Sequence, residues 1–551
     1  MSGAIAGHGL NLYTENLSEF IRKLFCYATS NKEDTCRIFA HNLEFDFMVI
    51  QNELKKQKFQ YHLTFAKSGL IQVRVKKGSL YWTLNDSFKF YPMSLKEVGN
   101  AIQLPKLDKP EYLGFRKPET AVERDYFIRY NMRDAEIVLR AMELMLNALG
   151  NIRKTLPAST MQYFEKNYNP TFPKKKYYIE KKGHLAYCGG RVEAYYRGLC
   201  HERNFGKIRC YDINSSYPFS MMQPMPDLLT EKRRKRNIDI SKLGFSRIQI
   251  KIDAEMPCLP VKTDKLYFPN GVLYGWFMNS EIKHAVDVCG AEILREYESV
   301  EYEAMPSYFS KFIQDCYKSR IRLKEEKSPL QIIEKLKMNS LYGKFGEVIR
   351  GTSFIPLTPQ NISLKKRYHY IPEMNLLEIK KEGLNFGKNT HFAIAGQITA
   401  YSRLWLWKYA AHLLRRKKEI FYCDTDSIYT NGTMPESDAL GGMKLEKCLS
   451  YILPIRSKLY LTNESVKAKG WHHAEQKHIE ALLKRGLPLS THSEKLSKFR
   501  ESLRRDFAGN TLFWKPQNFS LISDGKRNYY KQIDVHKLMK DNTGSEAILW
   551  T

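Results

Sequence analysis

Three short segments carry residue types that suit one chemistry, and they follow one another in order along the chain. The first is CYDINSSYP, with Asp212 at the end of an apolar stretch and Ser215, Ser216, Tyr217 and Pro218 after it. The second is KLKMNSLYGKFGE, where Lys335, Asn339 and Tyr342 fall at helical spacing, so that one face presents a cation, an amide and an aromatic ring. The third is YCDTDS, with Asp424 and Asp426 at a hairpin tip. In-line phosphoryl transfer asks little of a protein beyond positioning and charge neutralisation. Two Mg²⁺ ions, with Mn²⁺ as an alternative, can activate an attacking 3′-hydroxyl and stabilise a leaving pyrophosphate. Asp212 and Asp426, from adjacent strands, are the candidate metal ligands, and Asp424 supports them. Lys335 is a point charge for a triphosphate, and Tyr342 offers a flat face to a base. Taken singly, each segment has an ordinary explanation: an Asx-capped turn, a helix ending on Gly, a solvated hairpin tip. Their collinear occurrence in suitable local contexts raises them above chance.

The elements that must position these residues are legible in outline. Residues 208–219 read as a strand and a turn, and 306–346 as helical with a break near Ser328–Pro329. Residues 392–414 read as a strongly apolar helix and 419–430 as strand–turn–strand. The first 150 residues read as α/β. Asn16 with Glu19 resembles a capping box opening an amphipathic helix. Residues 36–41 form a short buried strand, 70–86 two strands joined by Lys-Lys-Gly, and 126–149 a long helix. The stretch 151–185, with Pro157, Pro170, Pro173 and Lys174–Lys176, has a linker composition and marks a domain boundary. EKRRKR (231–236) reads as a solvated loop. His472, His473 and His478 read as part of an exposed segment, with no partner ligands nearby in sequence.

Composition narrows the classes. The chain has 551 residues, 43% hydrophobic and 27% charged, which is globular and fits several domains at roughly 150 residues each. Lys+Arg is 88 against Asp+Glu 59, a net charge of +29 that predicts a polyanionic partner. A membrane is the weaker reading of that charge, because no apolar run approaches the roughly 18 residues of a spanning helix. The N-terminus also lacks the pattern of a signal or transit peptide. Ten scattered cysteines without a C-x-x-C argue against a disulfide framework or a Cys-based zinc module, and for a reducing, intracellular setting.

Together the three segments resemble motifs A, B and C of family B DNA polymerases, in the protein-primed variant of linear phages, adenoviruses, linear plasmids and self-synthesising transposons. Further segments resemble that branch. Tyr187, Gly189 and Gly190 in YCGG look like its template-contacting motif between exonuclease and polymerase domains. ITAYSR (398–403) resembles the helix before motif C. Lys458 and Tyr460 look like the Lys-x-Tyr motif at the primer terminus. Arg320 and Lys324 look like fingers cations that grip the triphosphate. The resemblance implies that Ser216 and Tyr217 bind nucleotide with Lys335, Asn339 and Tyr342, the Tyr217 ring excluding a 2′-hydroxyl. It also implies a monomer whose partners are template and primer DNA, deoxynucleoside triphosphates and a terminal protein primer. The implied fold is an RNase H-like exonuclease domain followed by a right-hand polymerase. Residues 1–185 would be the exonuclease-like domain and linker. Residues 186–450 would be palm and fingers with insertions near 225–305 and 348–392, and 451–551 a basic thumb.

The first domain carries a remnant of the matching exonuclease motifs. HNLEFDF resembles the second motif, with Asn42 and Asp46, and YNMRD the third, with Tyr130 and Asp134. Ser94 and Leu95 in MSLKEV look like a single-strand contact. The family's first motif is Asp-x-Glu, and residues 1–41 hold none. The expectation is an N-terminally incomplete domain with lost proofreading, in which Asp46 and Asp134 repel each other uncompensated. The competing readings are a nuclease with a vestigial polymerase half and a non-catalytic DNA-binding relic of an integrated element.

Overall fold

The computed structural model describes residues 3–7, 10–26, 36–66, 69–113, 116–349, 351–372, 375–380, 383–469, 479–481, 483, 495–496, 514–515 and 523–550. His472, His473, His478 and most of the basic region after 470 lie outside the described residues.

Alternation along Gln60–Ala66 buries Tyr61, Leu63 and Phe65 on one face, the signature of a half-buried strand. This strand, Gly69–Lys77 and Leu80–Asp86 form an antiparallel meander, and Cys36–Ala40 joins in parallel beside Leu80–Asp86. Cys36–Ala40 is an edge strand and is half-buried, not buried as its apolar run suggested. Helices Leu17–Leu24 and Leu43–Lys56 contribute Ile21, Phe47 and Leu54 to the core of this sheet. Asn16 caps the first of them through the Glu19 N–H, while the Glu19 carboxylate turns to Thr14, so only half the capping box forms. Helix Ala121–Leu149 has a complete box, Thr120 with Glu123, and stops at Gly150 in a left-handed conformation at φ 70°.

Two helices, Leu156–Tyr168 and Tyr177–Ala186, fill the stretch whose composition suggested a linker. Pro157 sits in the first turn, where its missing N–H is not needed, and Asn169 ends that helix at φ 43°. Met161, Phe164, Ile179 and Ala186 are buried in the central core, so the segment packs instead of spanning.

The central sheet is antiparallel, in the order Met443–Leu449, Ile208–Ile213, Ser427–Thr430, Ile420–Asp424, Val192–Ala194. Helix Phe392–Arg415 lines it, with Leu406, Ala410 and Leu413 against Tyr211, Ile213 and Ile428. Helices Ser310–Glu325 and Gln331–Leu341 pack as a pair, broken where expected.

The segment expected as a first insertion builds a sheet from Lys232–Arg234, Glu292–Tyr302, Leu243–Ile252 and Asn270–Met278, backed by helix Asn279–Cys289. The basic run is therefore an edge strand and not a loop. Arg234 is held by Glu301 at 2.8 Å. In the second, Thr352–Pro356 pairs with Gln60–Ala66, and Leu376–Lys380 and His369–Ile371 follow, extending the N-terminal sheet to seven strands.

The strand pairing shows no break at 451. Tyr451–Arg456 pairs with Cys200–His201, Asn542–Ala547 with Tyr196–Gly198, and Leu549–Trp550 with Asn270 and Gly271. The described C-terminal residues thus return to the centre of the molecule. Backbone pairing across about 250 to 350 residues leaves no mark in local composition. No helix among the described residues is long and apolar enough to cross a membrane.

Candidate active site

Asp212 and the Asp424–Asp426 turn meet at one end of the central sheet because Asp212 stands opposite Ser427 in the strand register. The Ile213 N–H donates to the Asp426 carbonyl at 2.8 Å, which locks that register. Thr425, at the tip, takes a left-handed φ of 62°, and its N–H donates to the Arg191 carbonyl at 2.7 Å. Gly190 explains itself here: a Cβ on it would stand 2.7 Å from the Thr425 methyl. The motif at 187–190 and the acidic turn are therefore in direct contact.

The acids are crowded. Burial, followed by the charge of Asp426, pushes the Asp212 carboxyl up to about 7, against the pull of Lys335 and Lys444. Burial, followed by Asp424, pushes Asp426 up to about 6, with Lys458 pulling back. Lys458 forms an ion pair with Asp424, and its backbone N–H is fixed by the Tyr422 hydroxyl at 2.8 Å. Half-buried carboxylates that hold protons near neutrality are a hard-oxygen donor set with an excess of negative charge. That set fits Mg²⁺, which takes one or two protein carboxylates and completes its shell from substrate and water.

Two members of the second group, Lys335 and Tyr342, lie within electrostatic reach of the same acids. Lys335 and Asn339 project from Gln331–Leu341 as exposed side chains, and Lys335 is close enough to act on Asp212. Arg320 and Lys324 lie one turn apart on the neighbouring helix. Tyr342 begins the 3₁₀ turn after the helix, and its ring stacks on Tyr217 at 4.4 Å between centroids.

Several expectations need correction. Ser216 turns inward: its hydroxyl is buried and bonded to the Ser402 hydroxyl at 2.9 Å, because it opens helix Ser216–Met221 on the side facing Phe392–Arg415. Tyr460 is only 6% exposed, and its hydroxyl bonds that of Tyr429 at 2.9 Å. Its ring packs on Tyr422 at 4.7 Å, so it supports the Lys458 turn and offers DNA no face. The Ser94 hydroxyl is engaged in a capping box with Glu97, and the neighbouring Leu95 is half-buried.

Sequence reasoning missed Arg403 and Glu281. Arg403 is buried, forks onto Glu281 at 2.7 and 2.9 Å, and donates at 2.7 Å to the carbonyls of Cys188 and Gly189. This pair fixes the backbone between Tyr187 and Gly190. Tyr187 itself packs on Phe392 and lies so close to Gly346 that a Cβ there would meet its ring at 2.8 Å.

In the N-terminal domain, Asn42 precedes helix Leu43–Lys56 at φ 65°, with its N–H on Asp86 at 3.0 Å, and Asp46 is exposed on the first turn. Asp134 is not left uncompensated: Lys106 pairs with it at 2.6 Å and lies over the Tyr130 ring at 5.0 Å. Lys106 was missed because nothing local marks a lysine that pairs with a helix 28 residues further on.

The family model described as DNA polymerase type B, organellar and viral, matches residues 124–380. A probable DNA polymerase of Podospora anserina is 26% identical over 457 residues, covering 74% of this chain and 36% of its own length. A probable DNA polymerase of Neurospora intermedia is 26% identical, covering 82% of this chain and 51% of its own. This chain thus spans about a third to a half of those two fungal relatives. The DNA polymerase of Bacillus phage Nf is 24% identical over 78% of this chain and 79% of its own. Among solved structures, phi29 DNA polymerase complexed with primer-template DNA superposes with a TM-score of 0.71 at 17% identity, covering 93% of this chain and 94% of that one. The same polymerase with primer-template DNA and incoming nucleotides gives 0.67. The shared fold is mixed α/β and multidomain. Over residues 124–380 the chain is similar to the organellar and viral type B DNA polymerases, and over about three quarters of its length to the DNA polymerases of Podospora anserina and Bacillus phage Nf.

Proposed function

We propose that this chain catalyses template-directed DNA synthesis, adding deoxynucleotides to a primer terminus from a DNA template, with a terminal protein as the first primer of a linear element. One observation carries the reading. Asp212 and Asp426 share one sheet end, and the Lys335–Asn339–Tyr342 face closes over it through the Tyr217–Tyr342 stack. In this reading residues 1–185 are an exonuclease-like domain of RNase H type. The central sheet is the palm, the helix pair the fingers, and the segments near 225–305 and 348–392 the insertions through which the priming protein is met. Residues 451–551 are the basic thumb.

Asp212 and Asp426 would hold the divalent ions. Bound there, Mg²⁺ supplies charge neutralisation and polarises the reacting phosphate. Lys335, Arg320 and Lys324 meet the triphosphate. Tyr342 faces the base, and Tyr217 fills the space beside the sugar 2′ position. Lys458 neutralises Asp424 and orients the primer end. The Arg403–Glu281 pair holds Tyr187–Gly190 as a rigid platform for template, and the excess positive charge binds DNA through counterion release.

The test is primer extension by the purified chain. Mg²⁺-dependent incorporation that follows the template sequence is expected. Retained DNA binding with no incorporation in Mg²⁺ or Mn²⁺ would favour the DNA-binding relic.

A further inference from the structure

Beside Leu404 and Trp407 of helix Phe392–Arg415, Cys258, His284 and Cys289 come together. Cys258 lies 31 residues before Cys289, and no C-x-x-C spacing joins them. His284 and Cys289 lie on helix Asn279–Cys289, and Cys258 is on the loop that follows Leu243–Ile252. The two sulfurs stand 3.8 Å apart, and a ring nitrogen of His284 completes a triangle whose sides are all within 4.8 Å. We propose that these three side chains bind a zinc ion.

The geometry points to a metal on two counts. Zinc–sulfur bonds of about 2.3 Å at the tetrahedral angle set the sulfurs about 3.8 Å apart, which is the separation found. Packed thiols reach a similar distance, so this alone does not decide. The histidine adds to it: its Nε2 makes no hydrogen bond among the described residues, and its ring stands edge-on to Trp407 at 4.5 Å, which holds the imidazole beside the two sulfurs. Two cysteines and one imidazole form a borderline-soft set that suits Zn²⁺ and not Mg²⁺. His284 and Cys289 also line a cleft with Asp253, Glu255, Met256 and Lys408, from which a carboxylate would supply a fourth ligand.

The site would be structural. Pro257, next to Cys258, gives its carbonyl to the buried Arg191 guanidinium at 2.8 Å, and the Arg191 carbonyl receives the Thr425 N–H of the acidic turn. Glu281, a turn before His284, anchors Arg403. A metal joining the loop to the helix therefore steadies both supports of the 187–190 segment without touching substrate.

The test uses the full chain, prepared with a non-thiol reductant in zinc-supplemented medium. Metal content should be about one zinc per chain, falling to background in Cys289→Ser and in His284→Gln and unchanged in the exposed Cys26→Ser. Co²⁺ exchanged into the wild type should give a thiolate-to-metal charge-transfer band, which the carboxylates at Asp212 and Asp426 cannot produce. Should one of these two ligand variants fail to fold, the other and the cobalt spectrum still decide. A wild type that retains no zinc and gives cobalt no thiolate band overturns the proposal. So does zinc that survives both His284→Gln and Cys289→Ser.

Discussion

The rings of Tyr217 and Tyr342 lie stacked, with centroids 4.4 Å apart and planes 19° from parallel. The stack joins the turn after Asp212 to the end of the helix that carries Lys335 and Asn339, so one aromatic contact sets the spacing between acids and cations. In the proposed function, the Tyr217 ring would occupy the volume that a ribose 2′-hydroxyl needs. Tyr217→Val should therefore relax sugar selection by roughly 10–200-fold, the range that steric discrimination of a small group supplies. Competing ribonucleotide and deoxynucleotide incorporation measures it. An unchanged ratio would assign the steric barrier to another residue.

Protons and metal should compete at the acids. Asp212 and Asp426 have carboxyls pushed up to about 7 and about 6, so the folded, metal-free chain holds protons that the unfolded chain has released. Carboxylates raised on folding make the metal-free protein less stable as pH rises from about 4 towards about 7. Bound Mg²⁺ must displace those protons, so its affinity should rise roughly tenfold between pH 6 and 8. Mg²⁺ titrations followed by thermal melting at both pH values check this. Equal affinities would mean that the pair is already ionised.

The buried Arg403–Glu281 fork supports the 187–190 segment and not the reaction directly. Glu281→Gln leaves the Arg403 charge buried without its partner, which should lower stability by about 3–5 kcal/mol. Denaturant unfolding reads it. A loss below about 1 kcal/mol would mean that the guanidinium finds another partner or water.

The parts legible in the sequence are those with local causes. Asp212, Asp424 and Asp426 sit at strand ends that a short apolar run defines, and Lys335, Asn339 and Tyr342 follow one helix period. The unread parts depend on contacts between distant segments. Arg403 meets Glu281 and the Cys188 and Gly189 carbonyls across 122 to 215 residues, and Cys258 meets Cys289 only after a sheet has folded between them. Ser216 and Tyr460 show a second limit. Their types and positions match binding motifs, but the direction of a side chain is set by what packs behind it, here Ser402 and Tyr429. Prolines misled at 151–185 because Pro157 sits at a helix start, the one helical site that tolerates it.

Asp134 is paired with Lys106 at 2.6 Å, so Asp46 and Asp134 alone should support little removal of a 3′ nucleotide. Hydrolysis of a 3′ nucleotide by two ions needs more carboxylates than Asp46 and Asp134 supply. A 3′-labelled single strand should survive in Mg²⁺ or Mn²⁺ about equally with wild type and Asp134→Ala. Degradation by the wild type that Asp134→Ala abolishes would reveal a further acid completing that site.

The most direct measurement is single-nucleotide primer extension by Asp426→Ala, with DNA affinity measured on the same preparation. The carboxylate serves the metal, and the +29 charge serves DNA binding. Incorporation should fall by at least about a hundredfold, the equivalent of about 2.7 kcal/mol of lost transition-state stabilisation, while DNA affinity stays within about threefold of wild type. Wild-type extension by Asp426→Ala would contradict the assignment of the acidic sheet end as the polymerase centre.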